Sequence, residues 1–176
     1  MIEGHKKARA FAAEDLPARR AGTRSLRAML PALVASEQAL AREHDAAAWA
    51  GVSRCGGEAR AAIEEFDRRT DQAEKHASPE VQKYFRAAND LEGIRADQER
   101  TTQAIQAVHE RLSRLNALRA ECQALAAPLE TARVGLEAYL AREGGKVQAV
   151  ARGAAEAAVA ALASGRAEAA RALGHW

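Results

Sequence analysis

The sequence predicts an all-α chain, an elongated helical bundle with long antiparallel coiled-coil helices. Three observations carry this prediction. First, apolar residues recur at alternating three- and four-residue spacings from Ser78 to about Glu143, the pattern of a stripe on one helix face. Second, alanine takes 46 of the 176 positions while aromatics make up only 4%. Such a composition buries little area per residue and suits thin helix-on-helix packing better than a thick globular core. Third, Gly51 to Gly57 and the Ala77-Ser78-Pro79-Glu80 junction separate successive helical segments.

The long stretch organises the rest. With Tyr84 at heptad position a, the a series is Tyr84, Leu91, Gln98, Ile105, Leu112, Arg119, Ala126, Arg133 and Leu140. The d series is Ala87, Ile94, Thr101, Val108, Leu115, Cys122, Leu129 and Leu136. Gln98, Thr101, Arg119 and Arg133 dilute the seam; such residues fix register at a cost in stability, or else face water. Leu118 and Leu125 sit beside the seam at g and widen it, as a bundle of three or more helices requires.

Along the chain, residues 1–22 read as a basic N-terminal arm, punctuated by Gly4, Pro17 and Gly22. Residues 1–30 hold seven basic groups, Lys6, Lys7, Arg9, Arg19, Arg20, Arg24 and Arg27, against three acidic ones. That is a local charge of +4 within a chain whose net charge is +2. Helix is expected over 23–50, capped by Thr23 or Ser25, with a stripe of Leu26, Leu30, Leu33, Leu40 and Ala47. Pro31 would lie near its first turns, where a missing N–H does least harm. Gly51 to Gly57 then break the periodicity, either as a turn or as a stutter in one long helix. A helix over 58–77 follows, carrying Ala59, Ile63, Phe66, Thr70 and Ala73. Ser78 and Pro79 read as N-cap and first helical residue of a helix over 79–143, kinked near Pro128. Residues 144–176 form an Ala-rich helix and tail that ends in Trp176, a candidate docking anchor.

The same residues exclude much chemistry. The five histidines have neither HxxxH nor HExxH spacing, Cys55 and Cys122 stand far apart, and no phosphate-cradling or nucleophile-elbow motif is present. The chain is therefore expected to be non-enzymatic, with no cofactor and no metal, and its two thiols to be reduced. No run approaches the roughly 20 apolar residues of a membrane span. The expected location is the cytoplasm, or a larger assembly.

The function expected is that of a structural or assembly protein, with a protein partner or self-association through the long helix. The interaction residues are Ile105, Val108, Leu112, Leu115, Leu118, Leu125, Leu129, Leu136 and Leu140, which the short upstream helices would leave uncovered. A bacterial secretion apparatus or a phage particle is the expected setting, on Arg- and Ala-rich usage typical of GC-rich genomes. A helical export chaperone or adaptor is the alternative, and the basic arm admits nucleic acid as a further partner.

Trp49-Ala50-Gly51 between two helices, with Tyr139-Leu-Ala-Arg-Glu143 downstream, resembles the WXG100 family of small secreted helical hairpins. The resemblance implies a Trp-x-Gly turn and a Tyr-xxx-Glu export signal. The family places that signal just after its hairpin, whereas here it lies beyond a second long helix.

Overall fold

A computed structural model describes residues 2–143, 145–146 and 148–172. Its secondary structure is helical, with no strand among the described residues. Helix α1 spans Ile2–Glu43, α2 spans Ala46–Trp49, α3 spans Cys55–Ala77, α4 spans Tyr84–Glu143 and α5 spans Ala149–Ala172. A single 3-10 turn over Ala50–Val52 follows α2. The all-α bundle expected from the periodicity is what forms. The chain divides into two compact units: Met1–Gln38 with Gly51–Glu110, and Ala39–Ala50 with Arg111–Trp176.

The first unit is a three-helix bundle. Gly4 and His5 lie against Phe85 and Tyr84, Thr23 meets Gln98, and Ser36 meets His109, so α1 and α4 run parallel. Helix α3 runs antiparallel to both, with Arg20 reaching Asp71 and Glu74, Arg69 reaching Asp97 and His76 reaching Asp90. Each helix buries a three-four stripe: Ala8, Ala12, Leu26 and Leu33 on α1; Ala59, Ile63, Phe66 and Ala73 on α3; Ala87, Leu91, Ile94, Ile105 and Val108 on α4. Small residues at one level of the core and branched ones at another let the helices close around one large buried aromatic among the described residues, Phe66.

Two expectations are corrected here. Residues 1–22 are not a separate arm but the first half of α1, held in the bundle by Ala8, Ala12 and Thr23. Pro17 and Pro31 both lie inside α1 at exposed positions. There, water can satisfy the carbonyl each proline deprives of a donor, while the buried stripe holds the turn together. Secondly, α4 begins at Tyr84, not at 79. Ser78 is the C-cap of α3; as the residue before proline it is extended, at ψ 152°, which ends the helix. Residues 78–83 then reverse the chain. Gln82 takes a left-handed φ of 52° while its side-chain amide donates to the Pro79 carbonyl, and the Lys83 N–H donates to the His76 carbonyl at 2.7 Å. Pro128, where the sequence leads one to expect a kink, lies inside α4, a continuous 60-residue helix.

The glycine-rich segment at 51–57 resolves as a short turn at 53–54 after the 3-10 turn, and its last three residues already belong to α3, which starts at Cys55. No side chain of the preceding residue caps α3. Instead Glu37 of α1 accepts from the Gly56 N–H at 2.7 Å, placing a carboxylate at the helix's positive end. A side chain at Gly56 would collide with that carboxylate, since a Cβ there would stand 2.2 Å from Glu37 Oε2.

Candidate protein-interaction surface

In the second unit the start of the surface is fixed by polar contacts to the end of α1 and to α2. Asp45 caps α2 by accepting from the Ala47 N–H at 2.8 Å. Arg111 donates to the Ala48 carbonyl, and Arg119 donates to the Glu43 carbonyl while its guanidinium lies 3.5 Å from the Glu43 carboxylate. The Arg42 hydrogen bond to Glu43 holds the Glu43 carboxyl below its usual range. His44 is buried and its Nε2 lies 3.1 Å from the Asn116 side-chain oxygen. Leu40, His44 and Leu115 are buried; from residue 116 to the end of the described side chains, none is.

The apolar pattern of α4 changes at the same place. Up to Leu115 it follows a and d. Beyond it, Leu118, Cys122, Leu125, Leu129, Ala132, Leu136 and Tyr139 follow one another at strict four-three spacing, on d and g. The shift is a stammer: 112, 115 and 118 are successive three-residue steps. It moves the seam off the a positions that hold Arg119 and Arg133. Arg133 is instead held between Glu130 and Glu137 of its own helix, and those hydrogen bonds, Glu130's first, push its pKa up. This seam runs for three heptads without a polar residue and is largely open: Leu118 is 41% exposed, Leu125 57%, Leu129 44% and Tyr139 47%.

Helix α5 shares this unit with the second half of α4. Its half-buried positions, Ala155, Val159 and Leu162, repeat at helical spacing, as do the half-buried Arg133, Leu136, Leu140 and Glu143 of α4. A helix whose contact stripe is mostly alanine covers little, so one edge of the α4 stripe is shaded and the other stays in water. Val150 at the start of α5 is also exposed.

The residues expected to meet a partner thus separate into groups. Ile105 and Val108 are fully buried and Leu115 nearly so. They belong to the chain's own core because α1 runs alongside α4 as far as these residues, with Ser36 meeting His109 and His44 meeting Asn116. Leu112, Leu136 and Leu140 are half-buried, and Leu118, Leu125 and Leu129 are open. Sequence reading missed Ala132 and Tyr139 as members of the same seam; their seven-residue spacing from Leu118 and Leu125 was the available signal.

The basic residues of 1–30 also separate. Arg19 donates to Gln98 at 3.1 Å and pairs with Asp15, Arg20 pairs with Asp71 and Glu74, and Arg27 pairs with Asp67. Glu74's hydrogen bond leads the causes that raise the Arg20 pKa. Lys6, Lys7, Arg9 and Arg24 are exposed on α1. The seven do not form one arm, because a helix distributes them around its circumference.

Of the four polar seam positions, Gln98 is the one that is buried. It donates to the Arg19 carbonyl and the Thr23 hydroxyl, each at 2.9 Å, and accepts from Arg19. Gly22 allows its approach; a Cβ there would stand 2.8 Å from Gln98 Oε1. Thr101 is half-buried and donates to the Asp97 carbonyl of its own helix.

Groups with reactive side chains are occupied in packing. Ser36 Oγ lies 2.9 Å from His109 Nδ1, a link between α1 and α4. Both cysteines are free, and burial, then Glu37 and Glu58, push the Cys55 thiol up, away from the thiolate. No group of three or more metal-ligating side chains occurs among the described residues, and no helix is long and apolar enough to cross a membrane among them. Trp176 lies outside the described residues.

The chain matches no family model, no curated protein and no solved structure. Trp49 is half-buried at the end of α2, which follows α1 and precedes α3 along the chain, and Tyr139 and Glu143 lie on α4. The likeness to WXG100 proteins is confined to these few positions.

Proposed function

We propose that this chain is a non-enzymatic structural or assembly protein that acts through helix-to-helix protein contacts. The observation that carries the reading is the three-heptad apolar seam of α4, uninterrupted by a polar residue and open at Leu118, Leu125, Leu129 and Tyr139. A coiled-coil seam of this length costs solubility when exposed and gains stability when a second helix covers it. The setting we favour is a larger bacterial machine, such as a secretion apparatus or a phage particle. The Arg- and Ala-rich composition supports that reading.

A second reading, a helical export chaperone or adaptor, rests on the same half-covered stripe. An α4–α5 pair with one shaded and one open edge offers a seat for a client helix. Light scattering on the native chain and on Leu125→Glu tests the first reading. Assembly of the native chain that dissolves in the variant, with helicity unchanged by circular dichroism, supports it. A compact monomer that takes up no helical partner overturns it. Co-purification with one small client at fixed stoichiometry would favour the adaptor instead.

A further inference from the structure

We propose that the helix covering the open seam of α4 is the same helix of a second copy, running antiparallel, with the two-fold axis between residues 130 and 131. This deepens the reading above and rests on it, because it names the partner of that surface.

Size and charge select this pairing. In an antiparallel pair, core residues meet in layers of one seam position against the other. One register sets Cys122 opposite the second copy's Tyr139, Leu125 opposite its Leu136, and Leu129 opposite its Ala132. Every small residue then faces a large one, and the layers interdigitate without a void. The antiparallel register one heptad away sets Cys122 against Ala132, two small residues that leave a gap, and stacks leucines on either side of it.

Charge makes the same choice. The open flank of the seam carries, at seven-residue spacing, Arg114, Glu121, Pro128, Gly135 and Arg142. Arg142 is 75% exposed, and Glu121 is exposed. In the favoured register, Glu121 of each copy falls opposite Arg142 of the other, giving two symmetric ion pairs. The shifted register instead opposes Arg114 to Arg142. A parallel pair opposes Arg114 to Arg119 and supplies no attractive pair along the seam. Pro128 and Gly135, which carry no long side chain, face the middle of the contact. The other flank, with Arg119, Arg133 and Leu140, is half-buried within its own chain. The second copy therefore approaches from the open side only, and the closed two-fold contact stops at a dimer.

The test uses the one half-exposed cysteine. In the native chain, the two Cys122 residues of an antiparallel dimer stand about 25 Å apart along the axis at ~1.5 Å per residue. They cannot form a disulfide, and Cys55 is buried. Tyr139→Cys places a thiol opposite Cys122 of the other copy. Under mild oxidation the variant is expected to give a covalent dimer on a non-reducing gel, while the native chain does not. Glu121→Arg and Arg142→Glu should each weaken the dimer roughly tenfold by sedimentation, and the double exchange should restore it. Cross-linking of the native chain through Cys122, or a charge exchange without effect on the dimer, overturns the antiparallel register. A native chain that stays monomeric while binding a different helical protein overturns the second copy but leaves the assembly reading standing. A monomer that binds nothing overturns both.

Discussion

The first half of α4 and its second half are alike in sequence and opposite in fate. Both repeat apolar residues at coiled-coil spacing, yet Leu91, Ile94, Ile105 and Val108 are sealed while Leu118, Leu125 and Leu129 stand in water. What differs is the material available to cover them. The first half has α1 on one side and α3 on the other, with Leu33, Ile63 and Phe66 buried among the covering residues. The second half has the short end of α1, α2 and an Ala-rich α5. Heptad spacing states which face must be buried; it does not state whether the chain itself supplies the cover.

Truncating one side chain in each half should have the largest and most unequal effects. Ile94→Ala is expected to destabilise the fold by about 2–5 kcal/mol in chemical denaturation, the range for large-to-small changes in a closed core. Leu125→Ala should change monomer stability by no more than ~0.5 kcal/mol, as surface changes do, and should act on association instead. Equal losses at the two sites would mean that the second half is as well covered as the first.

The polar layer inside the first half comes next. Gln98→Ala removes the partner of Arg19 and Thr23 and should cost about 1–3 kcal/mol, the penalty for leaving buried polar groups unsatisfied. Glu37→Ala removes the carboxylate that accepts from the first turn of α3 and should cost about 1 kcal/mol, the usual worth of a lost cap. Both effects belong to the first unit and should leave association untouched.

The smallest effect is a pH-dependent one. The Arg69 hydrogen bond at 2.5 Å, followed by that of Arg100, holds Asp97 below its ordinary value of 3.8. A carboxyl with a depressed pKa in the folded state stabilises above its unfolded value and loses that contribution as pH falls through its folded value. The difference in melting temperature between the native chain and Asp97→Asn should therefore be present at pH 7 and vanish on acidification below the ordinary carboxylate range.

Much of this fold is legible in the amino-acid sequence. The stripe on α3, from Ala59 to Ala73, and the a and d positions of α4 up to Leu115 can be read by spacing alone, because burial on a helix is a matter of period. The extent of α1 cannot be read in the same way. Pro17, Pro31 and Gly22 are strong local breakers, and only the tertiary cover of Ala8, Ala12 and Leu26 overrides them. The misplaced start of α4 has the same origin. Ser78-Pro79 is a good cap in isolation, but α3 must end and the chain reverse within the same six residues, so Ser78 serves the helix before it. The open seam is half legible. Leu118, Leu125 and Leu129 stand out, whereas the stammer at 112–118 that hands the stripe from a and d to d and g shows only once burial is known.

Hydrogen–deuterium exchange of the native chain as a function of its own concentration reads the cover of the two halves of α4 separately. Amides of α4 between about 118 and 139 should gain protection as concentration rises, while those between 87 and 115 are protected throughout and do not change. Protection of 118–139 that is the same at every concentration, and equal to that of 87–115, would contradict cover of the second half by a second copy.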